Sequence, residues 1–305
     1  MKRKFGTSAV MALCCALAGV GLVGCEEDSE TDAGASATPT ASESSEDSGE
    51  QGFLTGTEQI DVDGQTVNVS CSGEPVEGRP VVFLLHGGGE DLTNLAYVQE
   101  TLSADGRVCS YDRLGAGASD QPAGPQDHES IGTTLTGVLE QTVGDSPVVL
   151  AGHSMGGLIA GRYAPGHEQV AGLVLLDATS PTAAADLADR IPEDVTGPSA
   201  ELRAGQLAVF AGENPELLVF ADGEVASAGD IPVRVLHHGV PYLAELDPEY
   251  GEGLEEDWTA GQEDWLNLSS DSDRAAVENA GHYIHVDVPE AAVEAVQDVV
   301  TRAAG

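Results

Sequence analysis

The sequence predicts an α/β fold built on a mostly parallel central sheet, and two observations carry the prediction. Several apolar runs are continuous rather than alternating: Val81-Val82-Phe83-Leu84-Leu85, Val148-Val149-Leu150-Ala151 and 170–176. A strand covered on both faces reads this way, because neither face meets water. Between the runs lie segments of helical periodicity, and strands separated by helices imply parallel pairing through crossovers.

In chain order, the first element is an address. Lys2, Arg3 and Lys4 precede an apolar stretch from about Ala9 to Val23, the layout of a secretory signal peptide over 1–24. The stretch is short for a spanning helix. Its end, Leu22-Val23-Gly24-Cys25, resembles a bacterial lipobox. That resemblance implies that Cys25 is lipidated and becomes the mature N-terminus, so that the chain is exported and anchored to the outer face of the cell membrane. Burial of several lipid chains holds such an anchor firmly.

Residues 25–56 follow as a tether of Glu, Asp, Ser, Thr, Ala and Gly, with too little apolar surface to fold. Like charges along it favour extension. The acidity is general: 52 Asp and Glu stand against 12 Lys and Arg, for a net charge of −40. Lys2, Arg3 and Lys4 account for three of the 12, and the other nine are all arginine. Such a surface repels nucleic acid, whose proteins neutralise phosphate with basic groups. It serves solubility or, on a sharper reading, adaptation to salt. With Cys14 and Cys15 in the signal and Cys25 lipidated, Cys71 and Cys109 remain, an even pair in an oxidising location. A Cys71–Cys109 disulfide is expected; two buried thiols are the alternative.

The folded domain is expected over 57–305. Residues 59–69 alternate apolar and polar about Asp63-Gly64, which reads as a hairpin. A helix follows over 91–104, a strand over 107–111, a helix over 128–143 and a strand over 147–151. Then come a helix over 155–163, strands over 170–176, 231–236 and 274–278, and an amphipathic C-terminal helix over 289–304. The interval 178–230 breaks this rhythm. Rich in Ala, Asp, Glu and Pro, with helical patches at 182–190 and 200–210, it reads as a small helical cap inserted into the domain.

Gly152-His153-Ser154-Met155-Gly156 is a G-x-S-x-G motif lying directly between an apolar strand and a helical segment. A sharp strand-to-helix turn projects the serine hydroxyl from the sheet, and small residues at its flanks let the backbone turn. The helix N-terminus behind it favours developing negative charge. Ser154 is therefore the candidate nucleophile.

Four motifs in order resemble the α/β-hydrolase family over about residues 57–304. They are His86-Gly87-Gly88-Gly89, the segment from Tyr111-Asp112-Arg113 to Ser119, Gly152–Gly156, and Ala280-Gly281-His282-Tyr283-Ile284-His285. The resemblance implies an oxyanion hole from the backbone amide of Met155 and that of Gly88, or Gly89. It implies His282 as the base, with His285 as runner-up. His86 and His153 read as hydrogen-bonded scaffold, and Asp112 with Arg113 as a buried pair bracing loops. His237-His238 follow a strand end, and nothing in the spacing around them suggests a metal site.

The acid is open. Many relatives carry it after the strand at 231–236, where this chain has His237-His238-Gly239 instead. Asp177, at the end of the preceding strand, is favoured, with Glu245 and Asp247 as alternatives. The implied activity is cleavage of an ester or related acyl small molecule through a covalent acyl-enzyme, with no metal and no organic cofactor. Amidase, peptidase, C–C hydrolase and perhydrolase chemistry share the same framework. An inactive envelope lipoprotein acting as a binding module is the reading from a different class. The oligomeric state is not legible in the sequence.

Overall fold

The computed structural model of the chain describes residues 54–305. The expected signal peptide, Cys25 and the expected tether up to residue 53 lie outside the described residues. Eight strands run in chain order as β1 (Gly56–Val62), β2 (Gln65–Ser72), β3 (Val81–Leu85), β4 (Val108–Tyr111), β5 (Val148–His153), β6 (Val170–Leu176), β7 (Val233–His238) and β8 (Ser272–Val277). The helices are α1 (Ala96–Leu102), α2 (His128–Thr142), α3 (Met155–Tyr163), α4 (Ala183–Arg190), α5 (Pro198–Phe210), α6 (Gly251–Asp264), α7 (Ile284–Asp287) and α8 (Pro289–Ala303).

The strands form one sheet in the order β1-β2-β4-β3-β5-β6-β7-β8. β1 and β2 pair antiparallel about Asp63-Gly64, and β2 pairs antiparallel with β4. Every other pairing is parallel. Successive side chains of a strand point to opposite faces, and helices bury both. Phe83, Leu85 and Leu150 join one core with Leu135 and Leu139 of α2 and Ile159 of α3. Val82, Leu84 and Val149 join a second core with Val98 of α1 and Val296 of α8. Burying each such side chain contributes roughly 1.5–3 kcal/mol. Because neither face is wet, the runs are continuous instead of alternating.

Cys71 and Cys109 stand directly opposite in the β2–β4 register and are joined by a disulfide. The expected cap interval does hold two helices, α4 and α5. The two helices themselves bury little, since α4 buries only Leu187 and α5 buries no residue fully; Leu218, after α5, joins the main core. Polar ties add to this. Arg162 donates to the carbonyls of Pro181, Gly223 and Glu224, and Arg190 pairs with Asp257 at 2.6 Å.

One element is absent from the reading of the sequence. The segment between β7 and β8 forms α6, followed by a 3₁₀ turn over Trp265–Leu268. Its composition, GEGLEEDWTAGQED, holds three glycines and six acids, so the glycines, by propensity, and the low hydrophobicity argue against a helix. The apolar signal is a thin stripe at Leu254, Trp258 and Trp265, and fully buried Trp265 anchors its end in the core.

Candidate active site

β5 ends in a sharp turn at Ser154. Ser154 adopts φ 51° and ψ −118°, and α3 begins at the next residue. Such a conformation costs a non-glycine residue about 1–3 kcal/mol and persists only where its surroundings enforce it. Here they do: the Ser154 amide donates to Leu176 O at 3.1 Å, and its carbonyl accepts from Gly157, Leu158 and Thr179 at 3.0–3.1 Å. A Cβ on Gly156 would lie 2.5 Å from His86 O, and one on Gly152 would lie 2.6 Å from Gly157 N. Larger residues at either position would force the turn open.

The hydroxyl so presented meets His282. Nε2 of His282 lies 3.0 Å from Ser154 Oγ, and Nδ1 lies 2.7 Å from Asp177 Oδ2. Asp177 follows the last residue of β6, has φ 47°, and is fully buried. Of the three candidate acids, it is the one in contact with His282. The alternatives have other work. Asp247 accepts from Ser199 Oγ at 2.6 Å and from the amides of Glu249 and Tyr250 at 2.8 and 2.9 Å, organising the turn into α6. Glu245 is exposed in a short 3₁₀ turn.

Asp177 accepts more than one imidazole. His238 Nδ1 lies 2.9 Å from Oδ1 and 3.0 Å from Oδ2, the His238 amide donates to Oδ1 at 3.1 Å, and Trp258 Nε1 donates to it at 3.0 Å. Beyond Asp177, His238 Nε2 contacts Glu255 Oε1 at 2.5 Å. Burial by itself would raise the Asp177 pKa. The hydrogen bonds from His238 and His282 outweigh it and hold the carboxyl well below the usual carboxylate range. Burial lowers the His282 pKa more than Asp177 raises it, so the imidazole is neutral at neutral pH. Burial also opposes the charged form of His238, but Asp177 and Glu255 on either side overcome it and raise its pKa. His238, Glu255 and Trp258 were not read as site residues from the sequence. His238 stands where many relatives carry the acid, and the other two lie on the unforeseen α6.

The 86–89 loop lies against the turn at Ser154: a Cβ on Gly88 would sit 3.1 Å from Met155 Cε. The amides of Gly88 and Met155 have no protein acceptor among the described residues. Gly89 differs from the expectation. Its amide donates to Glu216 Oε1 at 3.1 Å, which takes it out of the set of free donors. Glu216 also pairs with Arg113 at 2.6 Å, with both side chains 2% exposed. Arg113 in turn donates to the carbonyls of His86 and Gly87 at 2.6 and 2.7 Å. Asp112 and Arg113 thus brace the loops separately and not as a pair. Asp112 accepts from Asn68, the Leu92 amide and the Ala118 amide.

The other histidines divide. His86 is buried among Arg113 and Gly87. His153 Nε2 lies 3.0 Å from the carbonyl of His282. His237 contacts Arg274. His285 is buried, and neither ring nitrogen has a hydrogen-bond partner.

A sequence model of the alpha/beta hydrolase fold matches residues 80–196. Over 113 residues the chain is 32% identical to the (lyso)-N-acylphosphatidylethanolamine lipase of Mus musculus, covering 36% of this chain and 33% of that one. Over 107 residues it is 36% identical to the AB hydrolase superfamily protein YisY of Bacillus subtilis, covering 34% and 39%. The chain therefore spans about a third of the length of the curated relatives it matches. The solved enol-lactonase from Burkholderia xenovorans LB400 superposes with a TM-score of 0.56 at 19% identity, covering 80% of this chain and all of that one. A thermophilic esterase from Thermogutta terrifontis gives 0.55 at 19%, covering 82% and 99%. The chain has the α/β-hydrolase fold.

Proposed function

We propose that the protein is a serine hydrolase that cleaves an ester or related acyl compound through a Ser154–His282–Asp177 triad and an acyl-enzyme. The observation that carries the reading is His282, which reaches Ser154 Oγ at 3.0 Å with one nitrogen and Asp177 at 2.7 Å with the other. A serine hydroxyl is a weak nucleophile until a base takes its proton. Neutral His282 accepts that proton at Nε2 as Ser154 Oγ bonds to the acyl carbon. Ionised Asp177 holds Nδ1–H and stabilises the imidazolium that forms. The oxyanion rests on the amides of Met155 and Gly88, at the N-terminus of α3. His282 then returns the proton to the leaving group. Water, activated by the same imidazole, releases the acid and restores Ser154.

The names of the relatives, a lipase among the sequences and an esterase and an enol-lactonase among the structures, support acyl esters as the substrate class. Export and anchoring through a lipid on Cys25 complete the reading and rest on the lipobox sequence.

Labelling with a fluorophosphonate tests the chemistry, run beside nitrophenyl esters of rising chain length. Wild type is expected to label and Ser154→Ala is not. Absence of labelling in folded wild type would withdraw the triad in favour of a binding role.

A further inference from the structure

Behind the 86–90 loop, three side chains that the hydrolytic reading does not use converge. We propose that Glu90, His153 and His285 form a site for one divalent transition-metal ion of the Zn²⁺ or Co²⁺ class, which ties together the 86–90 loop, the end of β5 and the start of α7. Each residue offers one ligand atom, and these atoms lie within 4.8 Å of one another.

The hydrogen bonding points the same way. His153 Nε2 faces the carbonyl of His282 at 3.0 Å. A carbonyl only accepts, so Nε2 carries the hydrogen. This is the usual second contact of a metal-bound imidazole, which fixes the tautomer and aims the other nitrogen at the ion. Nδ1 of His153 is directed at Glu90, 3.3 Å from both carboxylate oxygens. A charge-assisted hydrogen bond would be shorter, about 2.7–2.9 Å. Two ligands on a tetrahedral zinc, each bonded at about 2.0–2.2 Å, stand roughly 3.3 Å apart.

His285 supplies the independent observation. It is 3% exposed, and both ring nitrogens lack a partner. Buried polar groups are nearly always satisfied, and a bound ion would satisfy one of these. Glu90 Oε2 also accepts from the Gly87 amide at 2.7 Å. Two imidazoles and one carboxylate make a donor set that imidazole-seeking metals accept and Mg²⁺ does not favour.

The ion would act as a clasp, not as the reacting centre. Its three ligands lie on the segments that carry the loop glycines, Ser154 and His282, so it would hold those segments in register.

The test uses the full chain, stripped with a chelator and titrated with Co²⁺ in a large excess of Mg²⁺. The Mg²⁺ occupies carboxylate-only sites on this acidic surface. One equivalent of Co²⁺ with visible d–d absorption is expected, displaced by Zn²⁺ and accompanied by a higher Tm. Affinity should fall at least tenfold in His285→Gln and in Glu90→Gln, with folding checked by circular dichroism. In the unmutated chain, Zn²⁺ should shift the imidazole ¹⁵N signals of His153 and His285, a readout that does not depend on either variant folding. Co²⁺ binding abolished by Mg²⁺, binding unchanged in folded His285→Gln, or unmoved ¹⁵N signals would each overturn the site.

Discussion

His238 and Asp177 form a second imidazole–carboxylate pair directly behind the first. His238 Nδ1 lies 2.9 Å from Asp177 Oδ1, while His282 Nδ1 lies 2.7 Å from Oδ2. With Glu255 at its other nitrogen, His238 sits between two carboxylates. In that setting it is an imidazolium that donates in both directions.

This cation lowers the basicity of Asp177 and, through it, of His282. His238→Asn should therefore raise the His282 pKa, move the acid limb of the kcat/KM profile to higher pH, and lower the plateau several-fold. In wild type the acid limb should fall below pH about 6.5, the ordinary imidazole value, because burial lowers the His282 pKa. A pH–rate profile of both proteins checks this; coincident acid limbs would refute it.

The same group makes stability depend on pH. The folded-state pKa of His238 is raised, so its contribution is fully present below the unfolded value near 6.5 and is lost as pH rises through the folded value. The difference in unfolding free energy between wild type and His238→Asn should thus be larger at pH 6 than at pH 9. Urea titrations at the two pH values read it directly.

Asp177 and Asp247, two of the three candidate acids, should separate cleanly. Asp177→Asn should lower kcat by about 10⁴, as loss of a triad carboxylate does elsewhere, with the fold retained. Asp247→Ala should leave kcat within about twofold. It should cost about 1–2 kcal/mol of stability, the scale of lost buried hydrogen bonds, because its carboxylate gathers Ser199 and two backbone amides.

These contrasts show where the sequence was informative. The parallel strands and the turn at Ser154 were legible because continuous apolar runs, Gly152 and Gly156 report local geometry. Asp177 was favoured from its position at a strand end, but its partners were not visible. His238 was seen only as the residue that displaced an expected acid. Glu255 and Trp258 lie on α6, whose glycines and acids hide a helix that tertiary packing of Trp265 stabilises. Glu216, which follows α5, has no motif at all: its role exists only because the fold brings it to Arg113, 103 residues away.

Reduction of the Cys71–Cys109 disulfide should destabilise the domain without touching the chemistry. The bond closes a loop of sequence separation 38, for which chain entropy gives about 3–4 kcal/mol. In a domain of this size that corresponds to a Tm lower by roughly 10 °C. Calorimetry with and without reductant measures it, and the rate of fluorophosphonate labelling at 25 °C should be unchanged.

Glu216 offers the most direct test of how the 178–230 interval bears on the 86–89 loop. Its carboxylate lies between Arg113 and the Gly89 amide, so it fixes the loop that supplies Gly88. Glu216→Gln leaves Arg113 buried with its partner charge removed, and breaking a buried pair costs about 3–5 kcal/mol. The loop should also lose its register, so that kcat for ester cleavage falls while KM changes little. Glu216→Asp keeps the charge but shortens the reach, and should recover stability better than it recovers kcat. If both variants lose stability and neither loses kcat, Glu216 is a structural brace and the 86–89 loop is positioned by Arg113 alone.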